Sequence, residues 1–173
     1  MDVKSLRRRL ERMQSEAIAG KAYHVLGSSL VAGSDPDDRM DMRFFILDDD
    51  FVLDDQKMFT FDEAIQIQAI GHDYGLRLPR AHEWRAIGSF VTFGGEYHGE
   101  TKLHFVTAGH TWEGTSFSQT QDGSAYYWSG SSGPDKEKAR AVVFHPSGEF
   151  NVRYRPRDEG MRVRLLLNPD FLK

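Results

Sequence analysis

Gly75-Leu76-Arg77-Leu78-Pro79-Arg80-Ala81-His82-Glu83-Trp84 is the stretch on which the fold turns. Leu76 and Leu78 alternate, so a short strand here sends both into a core. Pro79 then suits the start of a helix, because its fixed φ and missing N–H cost nothing there. The spacing predicts a short third helix over residues 80–88. Glu83 can accept hydrogen bonds from nearby backbone or from an arginine. Trp84 carries a large ring whose burial contributes several kcal/mol.

Upstream, Thr60 and Glu63 form a capping-box pair ahead of Phe61 to Gly71, which predicts a second helix there. Arg43 to Leu53 reads as a hairpin, with Asp48-Asp49-Asp50 as its turn. Gly27 to Asp41 is rich in Gly, Ser, Asp and Pro and reads as a loop. Leu6, Leu10, Met13 and Ala17 make one apolar stripe on a helix over residues 4–19, and Gly20 is a plausible stop. The stripe packs on its own domain or, in the sharper alternative, makes a short oligomerisation helix.

Downstream, the chain changes character from Gly94 onward. Gly94 to Ala125 is long for a connector, and long loops in compact domains often bind ligands. Tyr126 to Ser129, Ala139 to Phe144, Glu149 to Tyr154 and Met161 to Leu167 read as strands, with Pro146-Ser147-Gly148 as a tight turn.

The composition bounds the function. Of 173 residues, 39% are hydrophobic and 12% aromatic, too apolar for disorder and too polar for a membrane protein. Apolar runs reach only about four residues, where a spanning helix needs about 20. The basic start, Met1 to Arg12, has no apolar stretch after it, so no secretory signal is expected. With no cysteine, disulfides, thiol nucleophiles and cysteine metal sites are excluded. A net charge of −4 implies no general attraction to nucleic acid. Asp35 to Glu63 holds eleven acidic and three basic residues, whereas Asp135 to Arg164 holds eight basic and five acidic. The two blocks are expected to offset each other, within one fold or between subunits.

Gly75, Arg77, Leu78, Pro79, Glu83, Trp84, then Tyr127-Trp128-Ser129, then Val163-Arg164 follow one another in an order that resembles the C-type-lectin-like superfamily. The resemblance is to its bacterial and phage branch. That branch holds the Fibrobacter succinogenes major-paralogous domain, formylglycine-generating-enzyme-like domains and the variable proteins of diversity-generating retroelements. It covers roughly residues 58–167. It implies an α+β fold, with two short helices packed on a small twisted antiparallel sheet, long irregular loops and, here, an added N-terminal helix. Residues 1–40 are then a helical arm and loop, and 41–173 the C-type-lectin-like domain. Arg77, Glu83, Trp84 and Trp128 become structural, holding loops that lack regular hydrogen bonding.

Catalytic patterns fail one by one. Formylglycine-generating enzymes depend on active-site cysteines, and this chain has none. His82-Glu83 begins like a zincin helix, but Ala86 stands where its second histidine belongs. His98, His104 and His110 are six apart. Their convergence would make the alternative, a metal-dependent enzyme on the same scaffold. The triplets that bind calcium in true C-type lectins are missing, and the Asp35-Pro36-Asp37-Asp38 cluster fits no EF-hand loop. No phosphate loop or nucleophile elbow is present.

The remaining reading is a non-catalytic recognition module for a protein or glycan, phage- or retroelement-associated, with no cofactor and no metal. Exposed aromatics beside small polar groups suit such surfaces. His110, Trp112, Phe117, Gln119, Tyr126, Ser129 and Ser131 have that composition. Arg153 and Arg155, alternating on one strand face, join this ligand-binding set; they suit a phosphate or nucleic-acid backbone or, in the favoured alternative, a solvated face or ion pairs with the acidic block. No membrane insertion is expected. The cytoplasm or a virion is the expected place, and a homo-oligomer the expected assembly, trimeric if the chain is a fibre tip with residues 4–19 on the threefold axis. A structural assembly subunit is the further alternative.

Overall fold

A computed structural model describes residues 1–19, 22–27, 42–47, 50–92, 124–145 and 150–172. They form an α+β fold of small antiparallel sheets and helices, one of them N-terminal.

Helix α1 spans Val3–Ile18, and the Asp2 carboxylate accepts from the Ser5 N–H at its start. Leu6, Leu10, Met13 and Ala17 are all buried, in one core with residues of the second helix. The stripe that an oligomerisation helix would offer on a threefold axis is therefore already used within the chain. Strand β1, Ala22–Gly27, pairs antiparallel with β2, Met42–Leu47. Residues on both sides of position 40 thus share one sheet and one core.

Helix α2, Phe61–Gly71, starts at Thr60 with the expected capping box. The Thr60 side chain accepts from Glu63 N at 3.3 Å, and the Glu63 carboxylate accepts from Thr60 N at 2.8 Å. A 3₁₀ turn, His72–Tyr74, follows and ends at Gly75 with φ 70°. That left-handed conformation suits glycine, and the Phe171 ring lies where a side chain at position 75 would go. Strand β3 is Leu76–Arg77 and helix α3 is Ala81–Thr92. The helix runs beyond the expected end near Gly88, because a single glycine is tolerated inside a helix at a cost of about 1 kcal/mol.

Strands β4 (Ala125–Ser132), β5 (Lys138–Phe144) and β6 (Phe150–Pro156) form a second sheet in that order. Strand β7, Leu166–Leu167, sits in the first sheet between β2 and β3, giving the order β1-β2-β7-β3.

Two expectations need correction. The hairpin over Arg43 to Leu53 does not form. β2 pairs instead with β1 and β7, and the Phe51 N–H donates to Val163 O at 2.7 Å. The chain turns later, at Asp54 and Asp55, both at positive φ, where Leu53 bridges to Gln56. The strand over Met161 to Leu167 is likewise broken. Met161 and Arg162 make single bridges, to Phe59 and Tyr127, and only Leu166–Leu167 is a ladder strand. This segment moves from one partner to another as it crosses the molecule.

Among the described residues the core has two lobes. One joins the α1 stripe to Phe51, Phe59, Phe61, Leu76, Leu78 and Trp128. The other packs Trp84 and Ile87 of α3 on Tyr127, Val142 and Phe144. The Trp84 ring lies 5.3 Å from Tyr127 and 5.8 Å from Phe144, within the range of favourable aromatic pairing.

Candidate functional site

The 75–84 stretch is held by its own chemistry. Arg77 grips Glu83 with two parallel hydrogen bonds, 2.7 and 2.6 Å. Glu83 also accepts from Arg80 N at 2.8 Å, so it caps the first turn of α3. Gln68 on α2 accepts from Leu78 N at 3.0 Å.

Strand β4 supplies the rest of this joint. Its register on β5 shifts between Trp128 and Ser132, which bulges Ser129-Gly130-Ser131 away from the ladder. The bulge meets the start of α3. Gly130 N donates to Pro79 O at 2.8 Å, and Ser131 Oγ accepts from Ala81 N at 2.9 Å. Ser129 is fully buried, and its Oγ accepts from Ser131 N. Both serines expected on a ligand surface thus have their hydroxyls committed to backbone N–H groups of the frame. The two indoles close the joint: Trp84 Nε1 donates to Trp128 O at 3.3 Å, and Trp128 Nε1 donates to Phe59 O at 2.7 Å.

Burial disfavours the charged form of Glu83, but the Arg77 hydrogen bonds and charge, with Arg80 N–H, outweigh it. Its pKa lies below the ordinary value. A depressed carboxylate pKa gives stability that is present above the unfolded-state value and lost as pH falls through the folded-state value. Glu83→Gln is therefore expected to lower stability at neutral pH and to flatten the acid limb of the stability–pH curve. Urea midpoints from pH 7 down to pH 3 test this; an unchanged acid slope would remove Glu83 from that account.

A second ionic cluster centres on Asp50. Its carboxylate accepts from Arg164 Nε at 2.7 Å, from Arg162 Nη1 at 3.0 Å and from Tyr127 Oη at 3.1 Å. Arg164 also donates to Leu47 O at 3.1 Å and is 2% exposed. Burial pulls on the Arg164 pKa, but Asp50 and Tyr127 more than offset it, so the pKa is raised. Asp50 lies in the acidic block, as does Asp62, which pairs with Arg157. The acidic and basic blocks thus meet inside one chain. Nothing in the composition marked Asp50 as the hub; an Arg-x-Arg pair in an apolar segment was the available signal.

Of the other expected ligand-binding residues, Tyr126, Arg153 and Arg155 fall together on one face of the second sheet. Tyr126 is half-buried, with the Arg155 guanidinium 5.7 Å from its ring centre. Arg155 also pairs with Glu159 at 2.8 Å. Arg153 is exposed on the same face. Tyr154, on the opposite face, is 48% exposed, with the Arg140 guanidinium 5.6 Å from its ring centre. Neither Tyr154 nor Arg140 was singled out from the sequence.

Ser124 Oγ lies 3.0 Å from His145 Nδ1, tying the start of β4 to the end of β5. His110, Trp112, Phe117 and Gln119 lie outside the described residues, as do His98, His104, the Asp35–Asp38 cluster and the 146–148 turn. Among the described residues no group of three or more His, Asp or Glu side chains could hold a metal ion. No helix among them is long and apolar enough to cross a membrane.

No family model, no curated protein and no solved structure matches this chain.

Proposed function

We propose that the chain is a non-catalytic recognition module for a protein or glycan ligand, built on a scaffold of the C-type-lectin-like type. One observation carries the recognition reading. The motif side chains are spent on the frame, while half-buried Tyr126, Arg155 and exposed Arg153 lie at the rim of a sheet face whose centre, Trp128, Ala139 and Ala141, is buried in the core. Arginine and tyrosine are the side chains that most often anchor recognition surfaces. The scaffold reading is supported by the element order: two helices, a long intervening segment, a three-stranded sheet, and a late strand returning to pair with an early one. The proposed setting is a phage- or retroelement-associated protein of the bacterial cytoplasm or a virion.

The test is a thermal-shift screen of untagged protein against sugars, short peptides, EDTA and divalent metals. A ligand selective for the folded state raises Tm by mass action. The reading expects a rise with one sugar or peptide class that disappears in Arg153→Glu. A fall in Tm with EDTA would instead favour a metal protein, and no rise with any sugar or peptide would overturn the recognition role.

A further inference from the structure

β6 is the outer strand of the three-stranded sheet. One side pairs with β5 along its whole length, from Lys138↔Pro156 to Phe144↔Phe150. Among the described residues nothing pairs with the other side. Arg157 N donates to Glu137 O at 3.0 Å, in register with that ladder. In an antiparallel pair, hydrogen-bonded and non-bonded positions alternate. The N–H and C=O groups of Arg155, Arg153 and Asn151 therefore face β5. Those of Val152 and Tyr154 face outward, unpaired by the ladder. Pro156, with no N–H, closes one end of this edge.

We propose that this edge takes an extended peptide as an added strand, one carrying acidic residues at alternate positions with apolar residues between. The pattern follows from the two faces of β6. An added strand lies about 4.8 Å away and sets its side chains beside those of its neighbour. On one face those neighbours are Arg153, exposed and matching a carboxylate in charge, and Arg155, whose guanidinium is shared with Glu159. On the other they are Val152, packed against the core, and Tyr154, half exposed at its rim. Backbone hydrogen bonds would supply affinity, and the alternation would supply specificity.

Charge also selects against the other obvious occupant. Two copies pairing antiparallel through Val152 and Tyr154 would set Arg153 opposite its own copy. Like charges directly opposite are destabilising. The cations and proline that guard this edge against self-association are thus the same groups that select an acidic strand. The inference rests on the recognition role proposed above and names its partner class.

The experiment uses the full chain and a fluorescein-labelled peptide, acetyl-Glu-Val-Glu-Val-Glu-Val-Glu-amide, followed by anisotropy at physiological salt. Three comparisons accompany it: the same composition with the glutamates and valines in separate blocks, the Lys-Val alternating peptide, and the Glu-Val peptide N-methylated at alternate amides in either register. Saturable binding of the alternating acidic peptide is expected, weakened at least about tenfold by Arg153→Glu and largely kept by Arg153→Lys. Tyr154→Pro, which removes an outward N–H, should abolish it. N-methylation in one register should abolish it with wild-type protein, so the conclusion does not depend on that variant folding. Equal binding of the block peptide would reduce the effect to net charge and overturn the proposal, as would no binding at all. If the peptide fails while a sugar still raises Tm, the edge proposal falls and recognition stands; if both fail, both fall.

Discussion

Asp50→Ala is expected to destabilise the protein by about 3–5 kcal/mol, the range for stripping one partner from a buried ion pair. The carboxylate is the common acceptor for Arg164, Arg162 and Tyr127. Without it, the Arg164 guanidinium at 2% exposure loses the carboxylate that balances its charge, while the Leu47 carbonyl and the Tyr127 side chain remain beside it. A guanidinium cannot escape by losing its proton, so the cost falls on folding. Arg164→Met should cost less, because it removes the buried charge along with the pair. The double variant Asp50→Ala/Arg164→Met should then be more stable than Asp50→Ala alone. Urea unfolding followed by tryptophan fluorescence measures all three. A loss below about 1 kcal/mol for Asp50→Ala would place the pair in the weak class of solvent-exposed bridges.

Trp128→Ala carries the other large effect, about 3–5 kcal/mol by the usual cost of emptying an aromatic site in a core. The ring is fully buried and meets Phe61 edge-on at 5.4 Å. Its Nε1 is the donor to Phe59 O, so truncation also leaves a buried carbonyl without that bond. Trp128→Phe separates the two terms. It keeps most of the apolar volume and loses the donor, and should cost less than Trp128→Ala but more than the ~1 kcal/mol of one hydrogen bond. Equal losses in the two variants would mean that volume contributes little here, contrary to the packing described.

The helices were legible because their signals are local. The α1 stripe, the Thr60–Glu63 box and Pro79 all act within a few residues of themselves. Strands β4 to β6 were legible from alternating aromatic and β-branched residues between turns. The false hairpin shows where such reading stops. Three consecutive aspartates have turn composition, yet Asp50 is placed by Arg164, 114 positions away. β1 was missed because its pairing with β2 crosses a segment of loop composition.

The candidate site divides the same way. Arg153 and Arg155 share a face because strand alternation is a local rule, whereas Tyr126 joins them only through the β4–β5–β6 register. Ser129 and Ser131 matched the composition of a recognition surface. Ser131 is instead claimed by the Ala81 N–H at the start of α3, 50 positions away, which has no partner within its own helix, and Ser129 by the Ser131 N–H inside the bulge.

The position of β7 sets an order of events during synthesis. Residues 166–167 lie between β2 and β3, and both of those strands are made long before them. As the chain grows from its N-terminus, β2 and β3 must wait with the edges that face β7 unpaired until Leu166 and Leu167 arrive. Contacts of such long sequence separation form slowly, and unpaired strand edges are what chaperones and aggregates recognise. The first sheet is therefore completed only after residue 167 has been made. A ribosome stalled before residue 166 would present a β2 paired with β1 on one edge and lacking β7 on the other.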